Sequence, residues 1–101
     1  MIDDIKLLLG NNITAIPLDE PTIHAAIAVA SQHYMRYRSY VTNWATNPRA
    51  YSWIMEYALA YCKMIMGEVK NQNLEIAEGD ELVATAMTFM ANLERELITY
   101  P

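Results

Sequence analysis

Two histidines, one cysteine and a run of carboxylates are the residues of this chain whose side chains could do chemistry. His24 and His33 lie nine residues apart in a stretch of helical pattern. Helix neighbours on one face are three, four, seven or eight residues apart, so this spacing does not join two imidazoles. Cys62 is the single cysteine, and without a cysteine pair zinc has no ligand set. The histidines therefore read as ordinary surface or core side chains. Cys62 falls on the apolar stripe of the longest expected helix, where a free thiol behaves as a small apolar group. A nucleophilic thiol would need a base beside it, and nothing in the sequence brings either histidine there. Glu75, Glu78, Asp80 and Glu81 cluster at a connector and helix start. Paired acids do acid–base work only in a cleft that drives their pKa values apart; here they complement the helix dipole and hold water. The glycines Gly10, Gly67 and Gly79 are too scattered for a phosphate loop. No catalytic residue, cofactor or metal is expected, and an enzyme is the least favoured class.

The chemistry that is concentrated is that of recognition. The stretch "HYMRYRSYVTNWATNPRAYSW", residues 33–53, holds Tyr34, Arg36, Tyr37, Arg38, Tyr40, Trp44, Arg49, Tyr51 and Trp53. Tyr, Trp and Arg are the residues enriched at interface hot spots, against the plainer reading of core and rim. Arginines beside stacking rings also suit nucleic acid. The whole chain, however, has 12 acids against 7 bases, a net charge of −5, and phosphate binding rests on the opposite sign. We expect Tyr34, Arg36, Tyr37, Arg38, Tyr40, Trp44, Arg49 and Trp53 to form intersubunit contacts. Glu78, Asp80 and Glu81, with Glu75, are expected to meet them from a neighbouring copy in a head-to-tail, heterologous contact.

The elements that must position these residues are helices. "IDDIKLLLG" is a short helix with Asp3 and Asp4 at its positive end and a stop at Gly10–Asn11. A linker with Pro17 and Pro21 follows, with extended structure expected at Ile13–Ile16. The second helix begins at Asp19–Pro21, capped by Asp19 or Glu20. Ile23, Ile27, Ala30, Tyr34, Tyr37 and Val41 then form a stripe of helical period. Turn residues interrupt at "SYVTNWATNPR". Asn47–Pro48 restarts a helix as N-cap and first residue.

That third helix is apolar on most sides. Tyr51, Met55, Ala58, Cys62, Ile65 and Val69 repeat at helical spacing, and Trp53, Ile54, Tyr57, Leu59, Tyr61, Met64 and Met66 fill most of the rest. A narrow stripe of Ser52, Glu56, Lys63 and Lys70 also carries the small residues Ala60 and Gly67. Glycine inside a helix costs about 1 kcal/mol against alanine, so Gly67 implies close approach of another helix. "NQNLEIAEG" is a connector with a short strand expected at Leu74–Ala77. The last helix starts near Gly79–Asp80, with Asp80 and Glu81 in its first turn and Leu82, Ala86, Phe89, Leu93 and Leu97 inward. The short connector makes helices three and four an antiparallel hairpin. The expected fold is all-α: one domain over 1–101, with 1–18 as an N-terminal arm and 19–101 as a bundle of three main helices.

Composition says what such a bundle lacks. Apolar residues are 53% and charged ones 19%, against a usual ~25% charged. A helix apolar on most sides is buried on most sides, and surplus apolar surface on a small domain marks an interface. The lone cysteine suits a reducing compartment. "MIDDIKLLLGNN" has acids where a signal peptide has bases. Glu56 and Lys63 break the central apolar run short of the ~20 residues that span a bilayer. A soluble protein is expected, with no membrane, small-molecule substrate or sequence-specific nucleic acid as partner.

"W-x-x-E-Y-A-L-A-x-x-K-x-x-x-G", from Trp53 to Gly67, is similar to a segment of small virion structural proteins of tailed bacteriophages. The continuation "EGDEL" (Glu78–Leu82) and "LERELI" (Leu93–Ile98), and the upstream "AVASQHYMRYR", resemble the flanking helices there. The likeness spans roughly residues 23–98 and is a pattern of apolar and small residues. In that family a basic segment follows the glycine and a longer Gly/Pro-rich hairpin precedes the last helix; here stands the short, acidic "EVKNQNLEIAEG". The resemblance implies a non-enzymatic particle component of the neck or head–tail connector, or of the tail or baseplate. It would be made in the host cytoplasm and built into the virion through contacts with other virion proteins and with copies of itself, as a ring-shaped homo-oligomer.

Two other readings compete. One is a small helical adaptor or regulator of a bacterial operon. The other is a helix-turn-helix regulator, disfavoured because a recognition helix displays polar and basic residues, whereas the last helix has Arg95 between Glu94 and Glu96. If the third helix is the structural centre, Tyr57→Ala and Ile65→Ala should each cost about 2–5 kcal/mol in denaturant melts, as large-to-small core changes do.

Overall fold

The computed structural model describes residues 1–9 and 18–99. Among them are four helices: α1 (Ile2–Leu9), α2 (Glu20–Tyr37), α3 (Pro48–Gln72) and α4 (Ile76–Thr99), with a 3-10 turn at Trp44–Thr46. The described chain is all-helical, as its periodicity implies. The expected stop at Gly10–Asn11 and the extended stretch Ile13–Ile16 lie outside the described residues.

Local chemistry starts the helices. Asp19 takes extended backbone and its carboxylate accepts from the Thr22 N–H at 2.9 Å and from the Thr22 hydroxyl. Those bonds stabilise the ionised form and lower the Asp19 pKa. Asn47 does the same for α3, its Oδ1 accepting from the Arg49 and Ala50 N–H groups at 3.1 Å, with Pro48 in first place. Short α1 is held by its neighbours. Ile5 and Leu9 are fully buried, the Lys6 ammonium pairs with Glu20 at the start of α2, and Tyr51 of α3 donates to Asp4 at 3.2 Å. Through Ile5 and Leu9, α1 joins the core.

The connector corrects two expectations. There is no strand at Leu74–Ala77, and α4 begins at Ile76, earlier than Gly79–Asp80. The last carbonyls of α3 are closed by a paired turn: the Leu74 N–H donates to Asn71 at 3.1 Å and the Glu75 N–H to Lys70 at 2.9 Å. This Schellman closure needs a left-handed residue after the cap. Leu74 supplies it at φ 66°, with its side chain in solvent. With α4 starting at Ile76, Glu78 stands in the first turn, and Asp80 and Glu81 come one turn later.

After this three-residue connector α4 runs back along α3. The Trp53 indole N–H donates to the Leu93 carbonyl at 3.0 Å. Fourteen residues further along α3, a Cβ on Gly67 would lie 2.7 Å from the Gly79 carbonyl oxygen and 2.8 Å from Val83. A Cβ on Gly79 would meet the Gly67 carbonyl at 2.6 Å and the Asn71 amide oxygen at 2.1 Å. The register therefore sets Trp53 against Leu93 and Gly67 against Gly79, and places Ala60 opposite Ala86 midway. All six residues are buried.

The rest of the core follows from this seam. On α4 the buried positions are Gly79, Ala86, Met90, Leu93 and Leu97. Phe89, expected inward, is 46% exposed, because the seam carries position 90 in and turns 89 to the flank. On α2, Ile23, Ala26, Ala30 and Tyr34 are buried, while Tyr37 reaches the surface. Tyr34 packs 5.5 Å from the Trp53 ring, Trp53 stacks on Tyr57 at 5.1 Å, and Tyr57 stacks on His33 at 5.1 Å. Tyr57 is buried, but Ile65 only half so, which leaves the core-sized loss to Tyr57 alone.

Two substitutions test this geometry in opposite directions. Gly67→Ala should lower stability by about 1–3 kcal/mol despite a helix-propensity gain of about 1 kcal/mol, because the obstructing atom is backbone. Leu74→Gly should raise it by about 1 kcal/mol, since it relieves a left-handed leucine. Urea melts that rank the pair the other way would dissolve the close-contact account.

Candidate functional site

The residues with reactive side chains stay apart. His24 is exposed on α2, whereas His33 is half-buried with its Nδ1 2.6 Å from a Glu94 carboxylate oxygen. Tyr57 lies under the same carboxylate, and burial, then Glu94, pushes its phenol up to about 12. The Cys62 thiol is fully buried and pushed up to about 11 by burial, so near neutral pH it stays protonated and inert. Among the described residues no three His, Cys, Asp or Glu side chains converge as metal ligands. No described helix is long and apolar enough to cross a membrane.

The arginine–aromatic segment gathers at one end of the bundle, where α2 ends, α3 begins and α4 ends. Its eight expected interface residues divide. Tyr34 and Trp53 are buried in the aromatic stack, 4% and 6% exposed. Arg38 is buried too. Its guanidinium donates to the Leu97 carbonyl at 3.0 Å and to the Tyr37 carbonyl at 3.0 Å. Leu97 is in the last turn of α4, where carbonyls lack helical partners and the dipole favours a cation. These three are internal, correcting their reading as contact residues: each faces the next helix of its own chain. Trp44 is half-buried with its ring 6.5 Å from Tyr51. Arg36, Tyr37, Tyr40 and Arg49 face solvent. Of these, Tyr40 and Arg49 border a cavity of about 800 Å³ that also reaches Tyr34, Arg38, Asn47, Trp53 and Glu96.

The acidic residues sit at the other end, beside the hairpin. Glu78, Asp80 and Glu81 are exposed. Lys70 bridges to Glu78 at 3.2 Å and to Glu75 at 3.8 Å, and Asn71 donates to Asp80 at 3.1 Å. From Glu78 to Glu96 along α4 is about 27 Å at helical rise. The described residues thus form a rod of 43 × 26 × 16 Å with the arginine–aromatic residues at one end and the cluster of Glu68, Glu75, Glu78, Asp80 and Glu81 at the other.

A second concavity escaped sequence reading. A groove of about 750 Å³ lies between α3 and α4, with Leu8 of α1 as its third wall. Leu59, Met66, Leu82 and Phe89 line it, and Glu56, Lys63, Lys70, Glu78 and Glu81 stand around it. Its one visible signal was the small-residue stripe of Ala60 and Gly67; the matching Ala86 belongs to the facing helix. In comparisons with protein families, curated proteins and solved structures, the chain matches none of them.

The burial of Arg38 separates it from the other two arginines. Arg38→Ala should cost about 2 kcal/mol, the scale of a hydrogen bond to a charged group. Arg36→Ala and Arg49→Ala should each stay within about 0.5 kcal/mol, as exposed substitutions do. Thermal or urea melts of the three single variants give the ranking; equal losses in all three would erase the distinction.

Proposed function

We propose that this chain is a structural subunit of a phage particle, assembling through protein–protein contacts in the neck or head–tail connector. One observation carries the reading: the exposed arginines and tyrosines stand at the opposite end of an elongated bundle from its densest cluster of acids, Glu68 to Glu81. Residues 34–53 hold three arginines and no acid, and the adjoining end of α4 adds Glu94, Arg95 and Glu96. Residues 68–81 hold five acids against Lys70. A body with unlike ends associates head to tail, and such contacts close into rings when the rotation per subunit allows. The resemblance of Trp53–Gly67 and its flanks to small virion proteins supports the same reading. So does the surplus of exposed apolar side chains, among them Leu7, Tyr40, Leu74 and Phe89.

A second reading, a small helical adaptor or regulatory protein, is favoured by the groove, whose apolar floor and charged rim suit a single partner helix. Light scattering after size exclusion separates the two: concentration-dependent assembly supports the subunit, a monomer throughout supports the adaptor. Within the first reading, Arg36→Ala with Arg49→Ala should leave the circular dichroism unchanged. Incorporation into particles or rings should fall about three- to tenfold and lose much of its salt dependence, as for charges at an interface rim. Unchanged incorporation would place the interface elsewhere.

A further inference from the structure

We propose that the groove between α3 and α4 is the receptor for a second copy of this chain, and that the occupant is the Tyr37–Tyr40 turn with Arg36 and Arg49 beside it. This rests on the reading of a self-assembling subunit and names the surface through which assembly works. Tyr40 is 75% exposed and Tyr37 37%, so this turn presents aromatic surface that its own bundle covers only in part. Leu8 and Phe89 are 54% and 46% exposed at the groove, a matching apolar depression that no described residue fills.

Charge decides the occupant. The projection carries Arg36 and Arg49 in a segment without acids. Of the two lysines at the groove, Lys70 already bridges Glu75 and Glu78, which leaves Lys63 against Glu56 and Glu81. An aromatic tip therefore meets an apolar floor, and flanking guanidinium groups meet carboxylates at the rim, the anatomy of a protein interface. The two surfaces cannot meet within one chain, because the projection caps one end of the rod while the groove runs along its side toward the other. Each copy offers both halves, so the contact is heterologous and repeats from copy to copy.

The test uses two lesions in the full chain. Phe89→Lys puts a cation into the groove floor and leaves the projection intact. Tyr40→Ala with Arg49→Glu removes the projection and leaves the groove intact. Both variants should keep the wild-type circular dichroism and self-associate at least about tenfold more weakly than wild type, the effect of losing a hot-spot residue. Mixed in equal amounts they should give a 1:1 dimer that grows no further, because the one remaining projection fills the one remaining groove. If either variant assembles like wild type, or the mixture stays monomeric, the groove is not the receptor, while an assembling wild type leaves the subunit reading standing. A wild type that is monomeric at every concentration overturns both. If Phe89→Lys unfolds, Leu8→Lys on the third wall replaces it; if that also unfolds, the groove is internal structure and the proposal falls.

Discussion

The backbone contact between Gly67 and Gly79 is the constraint on which the rest of the structure depends. Each glycine stands where a Cβ would enter the other's carbonyl oxygen, so at the hairpin end α3 and α4 approach as closely as backbone allows. A seven-residue register carries that contact along the pair, from Gly67–Gly79 to Ala60–Ala86 to Trp53–Leu93. Side-chain volume across the seam rises step by step away from the connector. The wide end needs filling, and α2 fills it. Tyr34 and His33 close the stack begun by Trp53 and Tyr57. Arg38 reaches across to the end of α4, where a cation satisfies carbonyls that the helix itself leaves open.

This taper also sorts the charges. At the wide end the inner arginine is consumed in holding α4, and Trp53 and Tyr34 are consumed in the core. What remains for the outside is Arg36, Arg49, Tyr37 and Tyr40. At the narrow end the seam is glycine and alanine, so little apolar side chain is needed there. The surrounding positions are free to be polar, and they hold Glu68, Glu75, Glu78, Asp80 and Glu81 around Lys70. Lys70 bridges two of them, but exposed pairs of this kind contribute little to stability. Their consequence is a local excess of negative charge at that end of the rod rather than stability of the fold.

Much of the architecture was legible because its signals are local. Asp19 and Asn47–Pro48 mark helix starts through their own side-chain chemistry, and the periods of α2 and α3 follow from burial on one axis. Gly67 was legible as a contact because a glycine in mid-helix is unfavourable unless something approaches. Gly79 was not, since a glycine near an expected helix start looks like a terminator; only the partner helix reveals that it faces Gly67. Leu74 misled in a similar way. A leucine between Asn73 and Glu75 suggests a strand, and nothing local announces that two carbonyls of α3 will pull its backbone left-handed. Of the site, the gathering of arginines and aromatics was visible, but its division was not. Whether Arg38 faces in or Arg49 faces out depends on where the end of α4 arrives, which is a property of the register between two distant segments.

The groove is a product of the same register. Its floor includes Ala60 and Ala86, the middle step of the seam. Small residues there let the helices lie close and leave a depression between the Met55–Leu59 ridge of α3 and the Leu82–Phe89 ridge of α4. Filling that depression from within the chain would take larger residues at positions 60 and 86, and those would push the helices apart and undo the glycine contact at the hairpin. The close approach that stabilises one copy therefore leaves an apolar channel that the copy does not cover itself. On a chain with few charges, a channel of this kind is an aggregation hazard unless something of defined shape occupies it. In the contact proposed above, the carboxylates gathered beside it and the arginines at the far end of the rod would supply the discrimination that apolar contact lacks, because a wrong orientation places like charges together.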